Sequence, residues 1–553
     1  MIAIAIYWLI GAFVFINLGK MVDRILGLKE NPFFFSFLNG LFLFLIYFSF
    51  AAFFVGAFDF KVHLGFALLI IFSIWSNIGF FYNKISNWLE SGEKKHPKYI
   101  IAVFFLFLFL SAQTPYLKEN DIYYIQTIKW AGEYGMTKGL INLHPSLGEF
   151  STWHILQAGV NPGIFIFNDL NGLLLLMYFL YLVCKLCDLK DKEFFTFDDR
   201  LLIFYFFIFP ALLVFINSPS PDLPVIILSQ VALYLFVRNF YHVRRDEFIE
   251  LVIVVLFAAS IKTTAIPLLM LPLLILIKYK KIIKKRDFLY YFLSVLALFG
   301  FLMYKNYIIT GYPFFPFSLL GEQLNADWRS PLEIFQNYIN SNKAFMYGGK
   351  ISSSSIVNLF HWIFQRNFIT FIINFIWFAT ILLFPLTVLK HSHKKALISL
   401  YFVALIYFFI LFFHFPFIKY FLYFEFLFLA IFLDIIFSPK ATFRTIKYGI
   451  FQILAMGLFL FIIHKKNPTM IYNPMSFTKF TKYDSQIKKD VLINYPVGKN
   501  LFWETGDAFL PAAQPQMLDS ILKVGNRRYK LQLRTNDLKD GFYLQLKNEL
   551  DED

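Results

Sequence analysis

Apolar segments of membrane-spanning length dominate this chain of 553 residues. A helix needs roughly 20 apolar residues to cross about 30 Å of hydrocarbon, and segments of this kind recur along most of the chain. Hydrophobic residues make up 58% of the sequence and charged residues only 16%, which excludes an ordinary soluble domain. The sequence therefore predicts an all-α polytopic membrane protein. The predicted spans lie near residues 2–19, 34–57, 62–82, 98–114, 163–187, 200–217, 223–241, 288–309, 368–389, 395–414, 416–437 and 445–464.

The apolar stretch at 248–277 needs a different interpretation because it is too long for one span and short for two. The polar sequence Lys262-Thr263-Thr264 interrupts it. Irregular backbone at membrane depth is tolerated where protein or a polar cavity surrounds it. We therefore predict two short helices that meet at this polar tip, which gives about 13–14 transmembrane helices in all.

Basic residues cluster in the short connections between the apolar segments. The formal net charge of +15 could indicate a nucleic-acid partner, but this clustering is typical of the cytoplasmic loops of membrane proteins. If each span crosses once and 248–277 enters and returns, the most basic connections all fall on one side. These connections lie at 20–29, 84–95, 238–245, 278–287, 390–395 and 440–447.

This topology divides the chain into three parts. Residues 1–97 hold the first three spans, and 98–464 form the main transmembrane module. Two long segments of that module, 115–162 and 310–367, are predicted to be extracytoplasmic, as is a small C-terminal domain at 465–553. In that domain "RRYKLQLRT" and "DGFYLQLKN" alternate apolar and polar residues, which predicts a β-hairpin.

The stretch "KENDIYYIQTIKWAGEYG", which begins at Lys118, follows the fourth predicted span. Asn120 is the predicted N-cap of a helix that starts at Asp121. Aromatic and polar residues then recur at helical spacing, which predicts an amphipathic helix lying in the membrane interface. The recurring residues are Tyr123, Thr127, Trp130 and Tyr134.

Glu119 and Asp121 then lie where the chain leaves the membrane. A carboxylate at this boundary could deprotonate an acceptor hydroxyl or hold a divalent cation beside a lipid-linked donor. Alternatively, the carboxylate could only stabilise the helix through its interaction with the positive end of the helix dipole. Asp222, in the turn "NSPSPDLP", is a second candidate acid or metal ligand.

Lysines near the predicted outer ends of spans could together bind a lipid phosphate. Lysines at such positions also act as simple membrane anchors. The candidates are Lys262 at the polar tip, Lys305 with Asn306 before the turn "GYPFFPF", and Lys419 with Tyr420 at the start of a late span. The segment 310–367 contains Gly and Ser clusters and could close over the acceptor as a lid.

This arrangement resembles the GT-C superfamily of polyprenol-phosphate-dependent glycosyltransferases, which includes protein O-mannosyltransferases and aminoarabinose transferases. In that superfamily the first large extracytoplasmic loop opens with an acidic residue directly after a span. "KENDIYY" occupies that place, so the resemblance assigns the catalytic carboxylate to Asp121, with Glu119 as the alternative. Lys305-Asn306 with "GYPFFPF", and Lys419-Tyr420, are similar to phosphate-binding Arg-Asn and Arg-Tyr pairs of the superfamily, with lysine in place of arginine.

The chain more closely resembles a set of uncharacterised bacterial polytopic proteins. The segments that carry this resemblance are "YYIQTIKWAGEYGMTKGLINLHPSLGEFSTW", "SPSPDLP" and "LKDGF". These proteins have no established function, whereas the resemblance to the GT-C superfamily implies an enzyme of the bacterial cytoplasmic membrane that transfers a sugar from a polyprenyl-phosphate donor to a glycan, lipid or protein. It implies a site facing the periplasm or cell exterior. Loop residues Tyr123, Tyr124, Lys129, Asn142 and His144 would contact the acceptor. Asp121 and Asp222 would hold Mg²⁺ or Mn²⁺, if a metal is used.

Two other functions remain alternatives on sequence grounds. A flippase or exporter of lipid-linked glycans should carry charged residues inside its spans, whereas Glu425 and Asp434 are the main charges within these. A polymerase of lipid-linked glycans would also work on the outer face. A transporter requires no outer carboxylate for chemistry, whereas a transferase should lose activity on Asp121→Asn while keeping its fold, so this substitution separates the two.

Overall fold

The computed structural model describes most of the chain as helices with a small β-structure near the C-terminus. The described residues are 2–28, 31–91, 97–113, 115, 117, 119–160, 170–189, 195–280, 284–347, 349, 351–364, 368–388, 393–414, 417–437, 443–465, 492–497, 500–503, 510–511, 522–525 and 527–547.

The helices before the polar tip are α1 Ile2–Leu26, α2 Phe33–Ala51, α3 Phe60–Ser91, α4 Pro97–Ser111, α5 Ile125–Glu133, α6 Thr152–Gly159, α7 Leu170–Leu189, α8 Phe197–Ile208, α9 Asp222–Tyr241 and α10 Arg245–Ile261. Those after it are α11 Met270–Lys278, α12 Lys285–Thr310, α13 Gly321–Leu324, α14 Leu332–Met346, α15 Ser355–Ile363, α16 Phe368–Val388, α17 Lys394–His414, α18 Ile418–Phe437 and α19 Phe443–Lys465. The strands are β1 Leu492–Val497, β2 Asn500–Trp503, β3 Lys523–Val524, β4 Arg527–Leu533 and β5 Phe542–Leu546.

Seven helices in the described part of the chain are long and apolar enough to cross a membrane. They lie in α1, α2, α3, α7, α9, α12 and α17. α12 exposes the apolar residues Phe288, Phe292 and Leu296, each about half accessible, which suits a surface in contact with lipid tails. α9 is buried on nearly all sides and forms the centre of the bundle. The prediction of a mostly helical protein with several helices of membrane-spanning length is therefore confirmed, and the crossing of a membrane by about 13–14 helices stays a prediction.

The polar tip has the predicted form. α10 ends at Ile261, Lys262 has extended backbone angles, and a 3₁₀ helix at Thr263–Leu269 leads into α11. The helix ends here because a lysine and two threonines interrupt the apolar segment. The backbone turns at this point, where these side chains lie close to other polar groups. Lys305 and Asn306 also lie as predicted near the end of a helix, in the last turns of α12, which is followed by Gly311 in a left-handed conformation.

The structure corrects two predictions about the start of the first long segment. Asn120 does not cap the helix, because a π-helical turn at Asn120–Tyr124 already includes it, and the cap position, Glu119, makes no side-chain cap bond. The helix that follows is not exposed at an interface: Thr127 and Trp130 are fully buried, and Tyr123 is 7% exposed. The Trp130 ring instead lies edge-on to Phe542, with centroids 5.7 Å apart.

The predicted C-terminal hairpin is confirmed as the antiparallel pair β4–β5. It packs on both long segments. The Phe542 amide donates to the Lys138 carbonyl at 3.0 Å, and the Arg534 guanidinium pairs with Asp327 at 2.9 Å. Because these contacts come from two separate segments, the hairpin joins them into one surface.

Close backbone packing between α1 and α2 depends on glycines. A Cβ atom added at Gly40 would lie 1.9 Å from the Phe15 carbonyl oxygen, and one added at Gly19 would lie 1.6 Å from that of Ser36. Small residues of this kind let membrane helices approach closely. The α1–α2 pair is thus fixed by backbone shape as well as by apolar side chains.

We expect Gly40→Ala to lower stability by roughly 1–3 kcal/mol, because the added methyl group overpacks this contact. Gly300→Ala is the matched control, since a Cβ atom at Gly300 in α12 meets nothing within 4 Å. The thermal unfolding midpoint of each variant in detergent checks the prediction. Equal midpoints for the two variants would contradict it.

Candidate functional site

A buried ion pair lies at the centre of the candidate site. The Lys262 ammonium pairs with the Asp222 carboxylate, whose side chain has no exposed surface. Asp222 is the first residue of α9, after the turn 217–221, and Lys262 directly follows α10, so the pair links the end of one polar break in the apolar bundle to the beginning of another. The Ser220 hydroxyl donates to the second Asp222 oxygen at 3.3 Å. Since a buried charge is costly without a partner, each group here stabilises the other.

Side chains around the pair fix the turn that carries Asp222. The Asn171 amide donates to the carbonyls of Ser218 at 2.6 Å and Ser220 at 3.0 Å. The Trp153 indole in turn donates to the Asn171 oxygen at 2.8 Å. Three segments distant in sequence therefore hold Asp222 in place.

The first long segment reaches this ion pair through aromatic residues. The Tyr124 hydroxyl lies 3.4 Å from the Ser220 hydroxyl, and its ring centroid lies 5.1 Å from that of His154. Tyr123 packs edge-on to Tyr124 at 4.6 Å. Burial, together with the charge of Lys262, lowers the pKa of His154 to about 3, so its imidazole is neutral at physiological pH.

A cavity of about 60 Å³ opens beside Lys262, room for about four waters. Lys262, Lys305 and Glu149 carry the charges that line it, and Thr263, Thr264 and Asn306 are among its polar walls. The Lys305 ammonium donates to the Phe150 carbonyl at 2.6 Å. The hydroxyl oxygen of Thr264 is buried and has no hydrogen-bond partner in the described residues. Two ammonium groups and a free hydroxyl at one cavity can bind an anionic oxygen group.

A second, larger cavity of about 450 Å³ adjoins the first and is almost wholly apolar. The two share Thr263, Thr264, Asn306, Phe315 and Pro316 as walls. The larger one continues between α12 and α17, where Phe299 and Ile410 are exposed on the apolar outer surface. A polar cavity thus lies beside an apolar groove that reaches the exposed apolar surface of the bundle.

Several predicted site residues have other contacts. The Asn142 amide donates to the carbonyls of Trp328 at 2.9 Å and Phe542 at 3.2 Å, so it joins the two long segments to the hairpin. His144 accepts from the Ser146 amide at 3.1 Å, and burial lowers its pKa to about 4. Lys129 is half-buried on α5 and is not among the cavity-lining residues. Asn306 donates to the carbonyls of Pro313 and Phe315, both at 3.3 Å, and so shapes the turn after α12.

The remaining predicted site residues are the two acids after the fourth predicted span and the Lys-Tyr pair at the start of α18. The side chains of Asp121, Lys419 and Tyr420 lie outside the described residues. Glu119 is described and half-buried, and it does not line either cavity. Within the described part of the chain, no three His, Cys, Asp or Glu side chains form a metal-binding group. The Mg²⁺ or Mn²⁺ site at Asp121 and Asp222 stays a prediction.

The sequence argument also missed residues that line the polar cavity. Glu149 ends the 3₁₀ helix at Pro145–Glu149, and Thr264 is the last residue of the polar tip Lys262-Thr263-Thr264. Thr264 could have been found from its place beside Lys262 in an apolar run. Glu149 has no such local signal beyond being an acid in a largely uncharged stretch.

These features define a helical protein with apolar helices of membrane-spanning length and a buried polar site at an interruption of the bundle. The chain belongs to the family described as Domain of unknown function (DUF8201), whose sequence model matches residues 1–426. The matched range includes α1–α3 and every residue that lines the polar cavity. No curated protein and no solved structure matches the chain.

Proposed function

We propose that this protein is an integral membrane glycosyltransferase that uses a polyprenyl-phosphate sugar as donor. The observation that carries the proposal is that the polar cavity, lined by two lysines, lies directly beside the apolar groove and shares walls with it. A lipid-linked phosphate has two matching parts, an anionic phosphate and a long apolar chain. The groove would bind the first isoprene units while Lys262, Lys305 and Thr264 bind the phosphate.

The reaction requires a good leaving group and a proton acceptor. An acceptor hydroxyl attacks the anomeric carbon, and the bond from that carbon to the phosphate oxygen breaks. The polyprenyl phosphate leaves with the bonding electrons, and a carboxylate takes the hydroxyl proton. Positive charge at Lys262 and Lys305 would stabilise the negative charge that develops on the phosphate.

The resemblance to GT-C enzymes supports the same assignment and supplies the remaining parts of the proposal. The bundle would contain about 13–14 transmembrane helices in the bacterial cytoplasmic membrane, with the site on the extracytoplasmic face. The acceptor would be a surface glycan, a lipid or a protein. Asp222, paired with Lys262 and not lining the cavity, would position the lysine.

Binding of undecaprenyl phosphate to the purified protein tests the donor assignment. We expect it to bind at least tenfold more tightly than undecaprenol, because a charge-assisted hydrogen bond contributes roughly 1.5–3 kcal/mol. Native mass spectrometry in detergent measures both affinities. Equal affinities would mean that only the apolar groove contributes, which would contradict a phosphate site.

A further inference from the structure

Glu149 is the acidic residue that lines the cavity together with the two lysines. It ends the 3₁₀ helix at Pro145–Glu149 and is half-buried. The next residue, Phe150, accepts the hydrogen bond of Lys305, so the backbone that positions Glu149 also positions that lysine. A group bound in this cavity would therefore lie beside Glu149 as well as beside the two lysines.

The carboxylate of Glu149 has one hydrogen-bond donor among the described side chains. The Tyr338 hydroxyl of α14 donates to it at 3.1 Å. Burial and the neighbouring Glu149 charge raise the pKa of Tyr338 well above its usual range, so the phenol stays a donor at physiological pH. In the described part of the chain Glu149 makes no salt bridge, while Lys262 is already paired with Asp222.

The two other described acids suggested by the sequence are less suited to proton transfer. Asp222 has no exposed surface and is engaged by Lys262 and Ser220. Glu119 does not line the cavity. A general base must lie within hydrogen-bond reach of the proton that it accepts, and geometry is the first criterion. Glu149 meets this criterion for a substrate bound at the cavity.

We infer that Glu149 is the proton acceptor of the proposed transfer reaction and that Tyr338 is its positioning residue. This inference rests on the proposed function. The acceptor hydroxyl passes its proton to Glu149 as its oxygen bonds to the anomeric carbon, and the polyprenyl phosphate leaves. Glu149 then releases the proton to water. Because Tyr338 belongs to the segment 310–367, that segment would take part in the chemistry as well as cover the acceptor.

Glu149→Gln tests the proton-transfer role because it keeps the size of the side chain and removes its basicity. We expect the glycan product in cells to fall at least about a hundred-fold, the lower range for general-base catalysis. Undecaprenyl phosphate should bind this variant as well as wild type or more tightly, since a negative charge beside the phosphate is gone. Glu322→Gln, the same change at an exposed acid on α13, should leave the product unchanged.

Tyr338→Phe tests the positioning role in combination with Glu149→Gln. If Tyr338 acts through Glu149, its loss should lower the rate of transfer in the wild-type background but add no further loss to Glu149→Gln, because the group that it positions is already inactive. The rate is measured in membranes that contain donor accumulated by a deletion strain. An equal further loss in both backgrounds would indicate a packing role only and would overturn the assignment of Tyr338.

The outcomes separate this inference from the proposed function. If the deletion removes a glycan product, Lys305→Met reproduces the loss and Glu149→Gln retains wild-type product, then Glu149 is not the base and the transferase proposal stands. If the deletion changes no glycan and undecaprenyl phosphate does not bind, the proposed function itself fails. Glu149→Asp keeps a carboxylate, so product above the level of Glu149→Gln supports the role, whereas equal loss in both overturns it.

Discussion

Asp222→Asn is expected to destabilise the protein by about 3–5 kcal/mol, the typical cost of removing one partner of a buried ion pair. Asparagine matches the size of aspartate and can still bond to Ser220, so packing around the turn is kept. The loss therefore comes from the Lys262 ammonium, which is left without its carboxylate. We expect low yield and a lower unfolding midpoint in detergent.

A double-mutant cycle isolates the ionic contribution. Lys262→Met removes the cation while keeping a long apolar side chain, and the double variant Asp222→Asn, Lys262→Met leaves neither charge. We expect the double variant to recover most of the stability that Asp222→Asn loses, because replacing both charges of a buried pair is often neutral. Additive losses would show that the two side chains stabilise the protein independently.

The periodicity of the first long segment predicted the α5 helix but not its surroundings. Tyr123, Thr127 and Trp130 repeat at helical spacing, and the structure places them on a helical stretch as expected. An aromatic face looks the same in sequence whether lipid headgroups or protein cover it. Phe542, from the C-terminal hairpin, covers Trp130 here, and no local pattern could indicate that contact.

Polar residues that interrupt apolar segments indicated the position of the candidate site better than the carboxylates at the predicted membrane boundary did. Lys262 and Lys305 stand out because a charge in an apolar segment is costly unless it has a buried partner. The structure places both at one cavity, as a shared phosphate site requires. Glu149 could not be identified as a site residue in the same way. Its proposed role depends on the packing of the Pro145–Glu149 helix against α12 and the polar tip. Such contacts are set by tertiary packing, which residue spacing along the sequence does not reveal.

Lys305→Met should lower transfer in cells by about 10²–10³-fold, which approaches the loss caused by deletion of the protein. Lys305 is 5% exposed, and its ammonium lies at the cavity where the donor phosphate is proposed to bind. Removing one preorganised donor from a site that stabilises developing negative charge typically costs about 10²–10³ in rate. Methionine fills a similar volume without a charge, so the fold should be retained despite the lost bond to Phe150.

The masses of lipid-linked and surface glycans measure this effect at equal expression of each variant. We expect one defined sugar to be missing from the product and its lipid-linked donor to accumulate. Lys285→Met is the matched control, because Lys285 is exposed at the opposite end of α12. If Lys305→Met retains the product while the deletion loses it, the lysine is an anchor rather than a phosphate ligand. If the lysine variant and the deletion accumulate a finished glycan on its lipid carrier, export rather than sugar transfer is the step that this protein performs.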